Sequence, residues 1–594
     1  MTRQEIIQEV INTSLNDSTK ILKLARKFSK LPIDSTENFL KIAVLGQYSI
    51  QHFVMVLKLL LNVRGISAQI YEGEYNGITS EILDKSSNLY KFSPDIVIIL
   101  TDHRYIERYP KLFDSNEEID KQVNEQFLFW KNLWLNLKTS FNCKIFQTNF
   151  NYPLERQLGN LEIKYNFSQK NFLRKLNLKL ESENDSSVSI VDIENFASTV
   201  GKLNFFDESA FYLHKLGFAL EFLPQVVDIF VQQIAISRGQ VKKCLVLDLD
   251  NTIWGGIVGD DGFENLQLDP NNAVGEAYLA FQKYIIALKD RGVILAVCSK
   301  NDETIAKEPF EKNHFMQLKL SDFAIFVANW QDKASNIKFI AKQLNIGLDS
   351  LVFFDDNPAE REIVKKFCPE VQVIDVPNDP ALYVRALDQA RPFEWLQLTK
   401  EDISRSDSYV ENQKRSELET HFKNYDEYLI ALNMTAKISE VNDSTVERFS
   451  QLTNKSNQFN LRTQRYDETQ IQSMRQDENY HLMTIELTDK FTQYGIIACV
   501  VLRFEKNCCF IENWVMSCRV LKRGVEYLTF EKILLEAKKR HCDQIKAEYI
   551  PTAKNNLVKN LLPELGFDFE NDLNEWQFKF QINKEFTKNY FIEV

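Results

Sequence analysis

The chain has 594 residues, too many for one hydrophobic core, and at about one domain per 150 residues it divides into three or four. Hydrophobic residues make up 44% and charged residues 26%, an ordinary globular balance that excludes a disordered chain. The net charge of −12 is spread along the sequence and argues against nucleic acid as a main partner, because phosphate backbones are held by clustered Lys and Arg.

From the N-terminus, Met1–Leu31 is amphipathic, carries charges every few residues and lacks the apolar core of a signal peptide, so residues 1–35 are expected as a helical extension. In the segment 36–240, apolar strands at Lys41–Leu45, Ala68–Tyr71 and Asp95–Leu100 alternate with helical stretches such as Ile50–Val63. That is the rhythm of an α/β domain with a parallel sheet. The longest apolar stretch, Phe53–Val63, is broken by Lys58 and too short to span a bilayer, so no membrane segment is expected. The polar run Glu181–Ser187, with Asn184 and Asp185, reads as a surface loop.

A second parallel-sheet domain is expected over 241–398. Its apolar runs are Leu245–Leu247, Val293–Cys298, Phe323–Val327, Leu351–Phe354 and Val371–Ile374, with helical patterns between them. Residues 399–431 begin with the polar, charged stretch Thr399–Lys423 and read as a helical connector. From 432 to 594 the strands lengthen and take antiparallel patterning at His481–Leu487, Ile496–Phe504 and Cys509–Met516, followed by a helix over Gly524–Lys539. This predicts an α+β domain. The nine cysteines form no zinc-type spacing, and Cys508 and Cys509 are adjacent, which suits neither a disulfide nor a redox pair. Reduced thiols and a cytoplasmic location are expected.

Chemistry concentrates in Leu245-Val-Leu-Asp-Leu-Asp-Asn-Thr-Ile-Trp254, where an apolar strand delivers Asp248 and Asp250 at its carboxyl end. Two carboxylates at that spacing divide the labour of phosphoryl transfer: Asp248 attacks phosphorus, and Asp250 protonates the leaving oxygen and then activates water. Ser299, after the strand Val293–Cys298, offers a hydroxyl to a phosphate oxygen, and Lys333 a fixed positive charge. Asp355 and Asp356, after Leu351–Phe354, are expected to hold Mg²⁺ with Asp248 and Asp250. Taken singly, any of these aspartates also reads as a turn or cap residue.

In order, Asp248-x-Asp-x-Thr252, Ser299, Lys333 and Asp355-Asp356 resemble the four motifs of the haloacid dehalogenase (HAD) superfamily. The stretches Leu247–Gly262, Cys298-Ser-Lys-Asn-Asp302, Trp330-Gln-Asp-Lys333 and Phe354-Asp-Asp-Asn-Pro-Ala-Glu-Arg361 are similar to its FkbH-like family, tightly over the middle segment and more loosely over both flanks. The resemblance implies an enzyme of polyketide and tetronate pathways. It would use Mg²⁺ to dephosphorylate 1,3-bisphosphoglycerate and load the glyceryl unit onto the phosphopantetheine thiol of an acyl carrier protein. Gly255, Gly256, Gly259 and Gly262 suit a short flap, and neither interval between the motifs has room for a full cap domain.

Cys298 carries two readings: a thiolate that holds the glyceryl group as a thioester, or a small buried core residue that strand alternation turns away from Ser299. On the first reading Lys300 and Lys333 would depress its pKa. The C-terminal segment resembles the GNAT acyltransferase fold. There Arg523 and Gly524, at a helix N-terminus, either hold a pyrophosphate or pantetheine phosphate, or only cap the helix. The N-terminal segment resembles an SGNH hydrolase-like domain, but Gly46-Gln-Tyr-Ser49 and Asp102-His103 match its catalytic pattern poorly and no catalysis is assigned to them. Asn454-Lys-Ser-Asn-Gln-Phe-Asn460 is a polar cluster with no assigned mechanism. A plain Mg²⁺-dependent phosphatase of a small metabolite, and a carrier-binding scaffold with a degenerate HAD core, are the competing functions.

Overall fold

The computed structural model describes residues 1–31, 39–184, 187–403, 409, 411, 422, 424–552, 554–571 and 574–594. Thr36, Asp185 and most of the connector at 399–423 lie outside these residues. The chain forms two compact units, Met1–Ala235 and Ile236–Val594.

In the first unit, helices Arg3–Ile11 and Ser18–Ser29 bury one face each, the second through Ile21, Leu24, Ala25 and Phe28. Five strands follow: β1 (Leu40–Gly46), β2 (Ala68–Tyr75), β3 (Ile96–Leu100), β4 (Lys144–Thr148) and β5 (Val188–Val191). They pair in parallel in the order β2-β1-β3-β4-β5. β4 escapes sequence periodicity because it buries a polar residue: Gln147 accepts a hydrogen bond from Trp134 Nε1 at 2.7 Å. The expected loop at Glu181 starts later, because Leu176 and Leu180 continue the buried stripe of helix Gln169–Ser182.

The second unit opens with β6 (Cys244–Leu247), β7 (Ile294–Ser299), β8 (Phe323–Ala328), β9 (Leu351–Phe354) and β10 (Gln372–Val373), all parallel in the order β10-β9-β6-β7-β8. The chain leaves β6 toward β7 and β8, then returns to its other side as β9. The carboxyl ends of β6 and β9 thus flank a topological switch point, where parallel sheets leave a crevice. After β6 the chain forms a short flap closed by an antiparallel bridge between Gly255 and Gln267. Gly256 is required there: its φ is +102°, and a Cβ would lie 2.8 Å from Asp261 Oδ2.

The same unit ends in a sheet of eight strands: β11 (Met434–Glu440), β12 (Tyr480–Thr488), β13 (Gln493–Glu505), β14 (Cys508–Met516), β15 (Gln544–Glu548), β16 (Asp568–Asn571), β17 (Asn574–Gln581) and β18 (Ile592–Glu593). β11 to β14 are antiparallel neighbours, and helix Val525–Lys539 crosses from β14 to a parallel β15. This strand order was legible only in its long central strands. β14 and β15 pair at Cys508–Ile511 and Gln544–Ala547 and then part. The opening is taken by Phe459–Leu461: Leu461 N donates to Trp514 O, Met516 N to Phe459 O and Ile550 N to Leu461 O.

Candidate active site

β6 delivers Asp248 at the switch point, and Asp248 N donates to Phe354 O at 3.0 Å, which ties the ends of β6 and β9 together. Asp355 and Asp356 follow β9 directly. Lys333 opens helix Lys333–Gln343, whose first turn is capped by Asp332 accepting from Ser335 N. Its ammonium lies 2.8 Å from Asp248 Oδ2 and also pairs with Asp355 Oδ2, with Lys333 only 2% exposed. One oxygen from each of Asp248, Asp355 and Asp356 lies within 4.8 Å of the others.

A single buried ammonium does not neutralise three carboxylates. Burial and the charge of Asp248 push Asp355 up to about 7, against the opposing pull of Lys333. Burial likewise raises Asp356. Burial alone would lower the Lys333 pKa, but Asp248 and Asp355 more than offset it and hold the ammonium charged. Asp248 Oδ1 is buried with no hydrogen-bond partner, a costly state for an anionic oxygen. An all-oxygen, electron-rich group with an orphaned oxygen fits a hard divalent cation such as Mg²⁺.

Asp250 departs from the expected ligand set. Its Oδ1 accepts from Trp254 Nε1 (2.9 Å) and Val258 N (3.0 Å), and its Oδ2 from Asn301 Nδ2 (3.1 Å). The side chain is held toward the flap, outside the group of three. Burial raises its pKa despite those donors. Thr252 is buried and accepts from Asp356 N (3.2 Å), so it positions Asp356. Ser299 ends β7 at the same edge of the sheet and is 2% exposed. Three contributors had no role assigned from sequence: Trp254 and Asn301, which hold Asp250, and Arg361, which donates to the carbonyls of Asp355 (2.8 Å) and Asp356 (2.7 Å). All three stand in the quoted motif stretches, but only the folded contacts reveal what they touch.

Residues 41–235 match the family model of the FkbH N-terminal domain. The N-terminal part of BF1531 from Bacteroides fragilis, a crystal structure containing a phosphatase domain complexed with Mg, is 34% identical with a TM-score of 0.59. The similarity covers 65% of this chain and 100% of that one. The chain belongs to the FkbH-like family of the HAD superfamily. Also similar are the ribosomal-protein-S18-alanine N-acetyltransferase from Escherichia coli (16% identity, TM-score 0.20, 26% of this chain and 100% of that one) and a domain from Methanocaldococcus jannaschii (16%, 0.21, 25% and 99%). No curated protein matches the chain. Among the described residues, no helix is long and apolar enough to cross a membrane.

In this FkbH-like chain three further expected site residues, Cys298, Arg523 and Gly524, are corrected. Cys298 is fully buried on the face of β7 that packs with Ala334, Ile337 and Ile340, and its sulfur lies 3.9 Å from Lys333 O. Burial pushes its thiol pKa up, and the Lys333 charge only partly opposes this. Lys300 is instead paired with Glu360 at 2.6 Å. Strand alternation, which places Ser299 and Cys298 on opposite faces, wins over the thiolate reading. Arg523 also turns inward: it donates to Tyr494 OH (2.6 Å) and to Asp489 Oδ2 (3.2 Å), a carboxylate with no exposed surface. Gly524 caps the helix with φ +80°, and a Cβ there would lie 3.1 Å from Tyr590 Cβ. These two residues therefore build the domain and do not present a phosphate cradle. In the first unit, Ser49 Oγ donates to His214 O, and Asp102 is engaged by Arg104.

Proposed function

We propose that this FkbH-like protein is a phosphatase and glyceryl transferase: it dephosphorylates 1,3-bisphosphoglycerate and loads the glyceryl unit onto the phosphopantetheine thiol of an acyl carrier protein. The buried Asp248, with one oxygen beside Lys333 and the other unpartnered, carries this reading. Asp248 attacks the phosphorus of the phosphate monoester, and the bond from phosphorus to the glyceryl oxygen breaks. Asp250, whose raised pKa suits a proton donor, protonates that oxygen; it then takes a proton from the water that releases phosphate from Asp248. Lys333 offsets the charge gathered at Asp248, and the Ser299 hydroxyl is assigned to a phosphate oxygen. Asp248, Asp355 and Asp356 are the residues that would hold Mg²⁺. When bound, the cation supplies positive charge that screens the nucleophile from an anionic substrate.

The acyl phosphate at the other end of the substrate is left for the carrier. Its thiol sulfur loses its proton and bonds to the acyl carbon, the bond from that carbon to the phosphate oxygen breaks, and the second phosphate leaves with that proton. With Cys298 buried, this transfer is direct. The same burial favours a second reading, a Mg²⁺-dependent phosphatase of a small phosphorylated metabolite, because the Cys298 thiol is not available to hold an acyl group. The domain division proposed with this function is a helical extension over 1–35, an SGNH-like domain over 36–240, a HAD domain over 241–398, a connector over 399–431 and a GNAT-like domain over 432–594.

The test is incubation with 1,3-bisphosphoglycerate, Mg²⁺ and a panel of phosphopantetheinylated carrier proteins, reading phosphate release and carrier mass. Asp248→Asn keeps the shape but removes the nucleophile, and phosphate release should fall about a thousandfold or more. Undiminished release by that variant would overturn the HAD assignment. Release without any carrier adduct would leave only the phosphatase reading.

A further inference from the structure

The turn after β6 bends at Asn251, between Asp250 and Thr252, where φ is +52°. Left-handed backbone is uncommon for a residue other than glycine, and it persists only where its surroundings fix it. Asparagine adopts it through local hydrogen bonds. Here Asn251 Oδ1 accepts from Gly256 N at 3.0 Å, and Asn251 N donates to Gly256 O at 3.3 Å, which ties the turn to the flap. The Asn251 carbonyl is held from outside the turn. It accepts from Tyr383 OH at 2.9 Å and from Tyr278 OH at 3.3 Å.

Neither tyrosine stands in the motif stretches. Tyr278 lies in helix Ala273–Asp290, and Tyr383 opens helix Tyr383–Gln389, beyond β10. Both are buried, and their rings meet edge to face with centroids 6.0 Å apart. Tyr383 packs against Phe281 (5.5 Å) and against Phe354 (5.4 Å), whose carbonyl accepts from Asp248 N. Tyr278 lies against the flap, where a Cβ on Gly255 would come 2.8 Å from its ring. Phenylalanine would fill the same apolar space without a hydroxyl to desolvate, and a buried hydroxyl is tolerated where it is hydrogen-bonded. Both hydroxyls bond the same carbonyl, so its placement is what the two rings determine.

Asn251 stands between two residues of the site. Asp250 is the proton donor of the proposed reaction, and Thr252 Oγ accepts from Asp356 N. A peptide that shifts at Asn251 carries both with it.

We infer that Tyr383 and Tyr278 are positioning residues for phosphoryl transfer: by fixing the Asn251 carbonyl they hold the Asp250 carboxyl where it protonates the leaving oxygen. The inference rests on the proposed roles of Asp248 and Asp250. In that step Asp248 bonds to phosphorus, the bond from phosphorus to the leaving oxygen breaks, and the Asp250 proton passes to that oxygen. A misplaced proton donor slows the step most when the leaving oxygen is basic, because such an oxygen departs poorly as an anion.

The test compares kcat/KM for phenyl phosphate and 4-nitrophenyl phosphate in the full-length protein at saturating Mg²⁺. Nitrophenolate departs with little help from an acid, whereas the more basic phenolate needs the proton. Tyr383→Phe keeps the ring and its packing and removes only the hydroxyl. It should lower kcat/KM about tenfold for phenyl phosphate and less than about threefold for 4-nitrophenyl phosphate. Tyr278→Phe should act in the same direction, and removal of both hydroxyls should exceed either alone. Tyr284→Phe, in the helix of Tyr278, loses a hydroxyl bonded to Asp388 (2.9 Å) and should leave the ratio of the two substrates unchanged. A defect in folding or metal content lowers both substrates alike, so the ratio reads the placement of Asp250. Equal losses with both substrates, an unchanged double variant, or the same change of ratio in Tyr284→Phe would overturn the inference. If Asp248→Asn abolishes turnover while the tyrosine variants keep the wild-type ratio, the phosphotransfer assignment stands and the positioning role fails. Undiminished turnover by Asp248→Asn removes the assignment and this inference with it.

Discussion

Lys333→Met removes the one ammonium that sits between two buried carboxylates while keeping the length of the side chain. Its nitrogen is 2.8 Å from Asp248 Oδ2, with side-chain exposures of 2% and 11%, and its second partner Asp355 has none. At an effective dielectric constant near 20, one such contact corresponds to about 6 kcal/mol of attraction before desolvation is subtracted. Leaving a buried charge without its partner has a net cost of roughly 3–5 kcal/mol. At roughly 2–4 °C per kcal/mol, metal-free protein should melt roughly 6–20 °C lower. The loss should be smaller at pH 6 than at pH 8.5. Asp355 already stands near 7, and without Lys333 it takes a proton more readily, which removes the repulsion with Asp248. Added Mg²⁺ should recover part of the loss at the higher pH, because it supplies the missing positive charge to the same oxygens. The assay is thermal unfolding followed by circular dichroism, with EDTA or with Mg²⁺, at both pH values. A variant that melts within a degree of the wild type in EDTA at pH 8.5 would refute the reasoning.

Three further outcomes follow from the same contacts. In the metal-free wild type the raised pKa of Asp355 means that the folded state holds more protons than the unfolded state between about 4 and 7; stability should therefore fall as pH rises through that window, and the gain in Tm on adding Mg²⁺ should be larger at pH 8 than at pH 5.5. An equal gain at both would contradict it. Cys298→Ala should change phosphate release and any carrier loading by less than about twofold and lower stability by only about 1 kcal/mol; a hydroxylamine-sensitive adduct mapped to Cys298 by mass spectrometry would restore the thiolate reading. Arg523→Met should lower the melting temperature by several degrees, since it removes the cation beside the buried Asp489, while any carrier loading is unchanged; a stable variant with weakened carrier loading would return Arg523 to a ligand site.

The sequence by itself determined the parallel sheet of the HAD domain and the composition of its centre. Four short apolar runs between helical patterns correspond to β6 to β9 within a residue or two, because strands buried on both faces are written as continuous apolar segments. Asp248, Lys333, Asp355 and Asp356 were legible for the same reason: each stands where an apolar run ends or a helix begins, and the ends of parallel strands converge. The tertiary structure alone decided what each side chain touches. Asp250 was expected beside Asp248 as a ligand, and the donors on Trp254, Val258 and Asn301 draw it to the flap. Arg523 looked like an exposed cation at a helix start until Asp489, in the turn after β12, and Tyr494, in β13, enclosed it. β4 was invisible because Gln147 breaks its apolar pattern, and only a tryptophan on a neighbouring helix supplies a donor to its side-chain oxygen. Periodicity records which face of an element is buried, a property of neighbouring residues. Which charge meets which across that buried face depends on residues far apart in the chain, and only the packed fold brings those together.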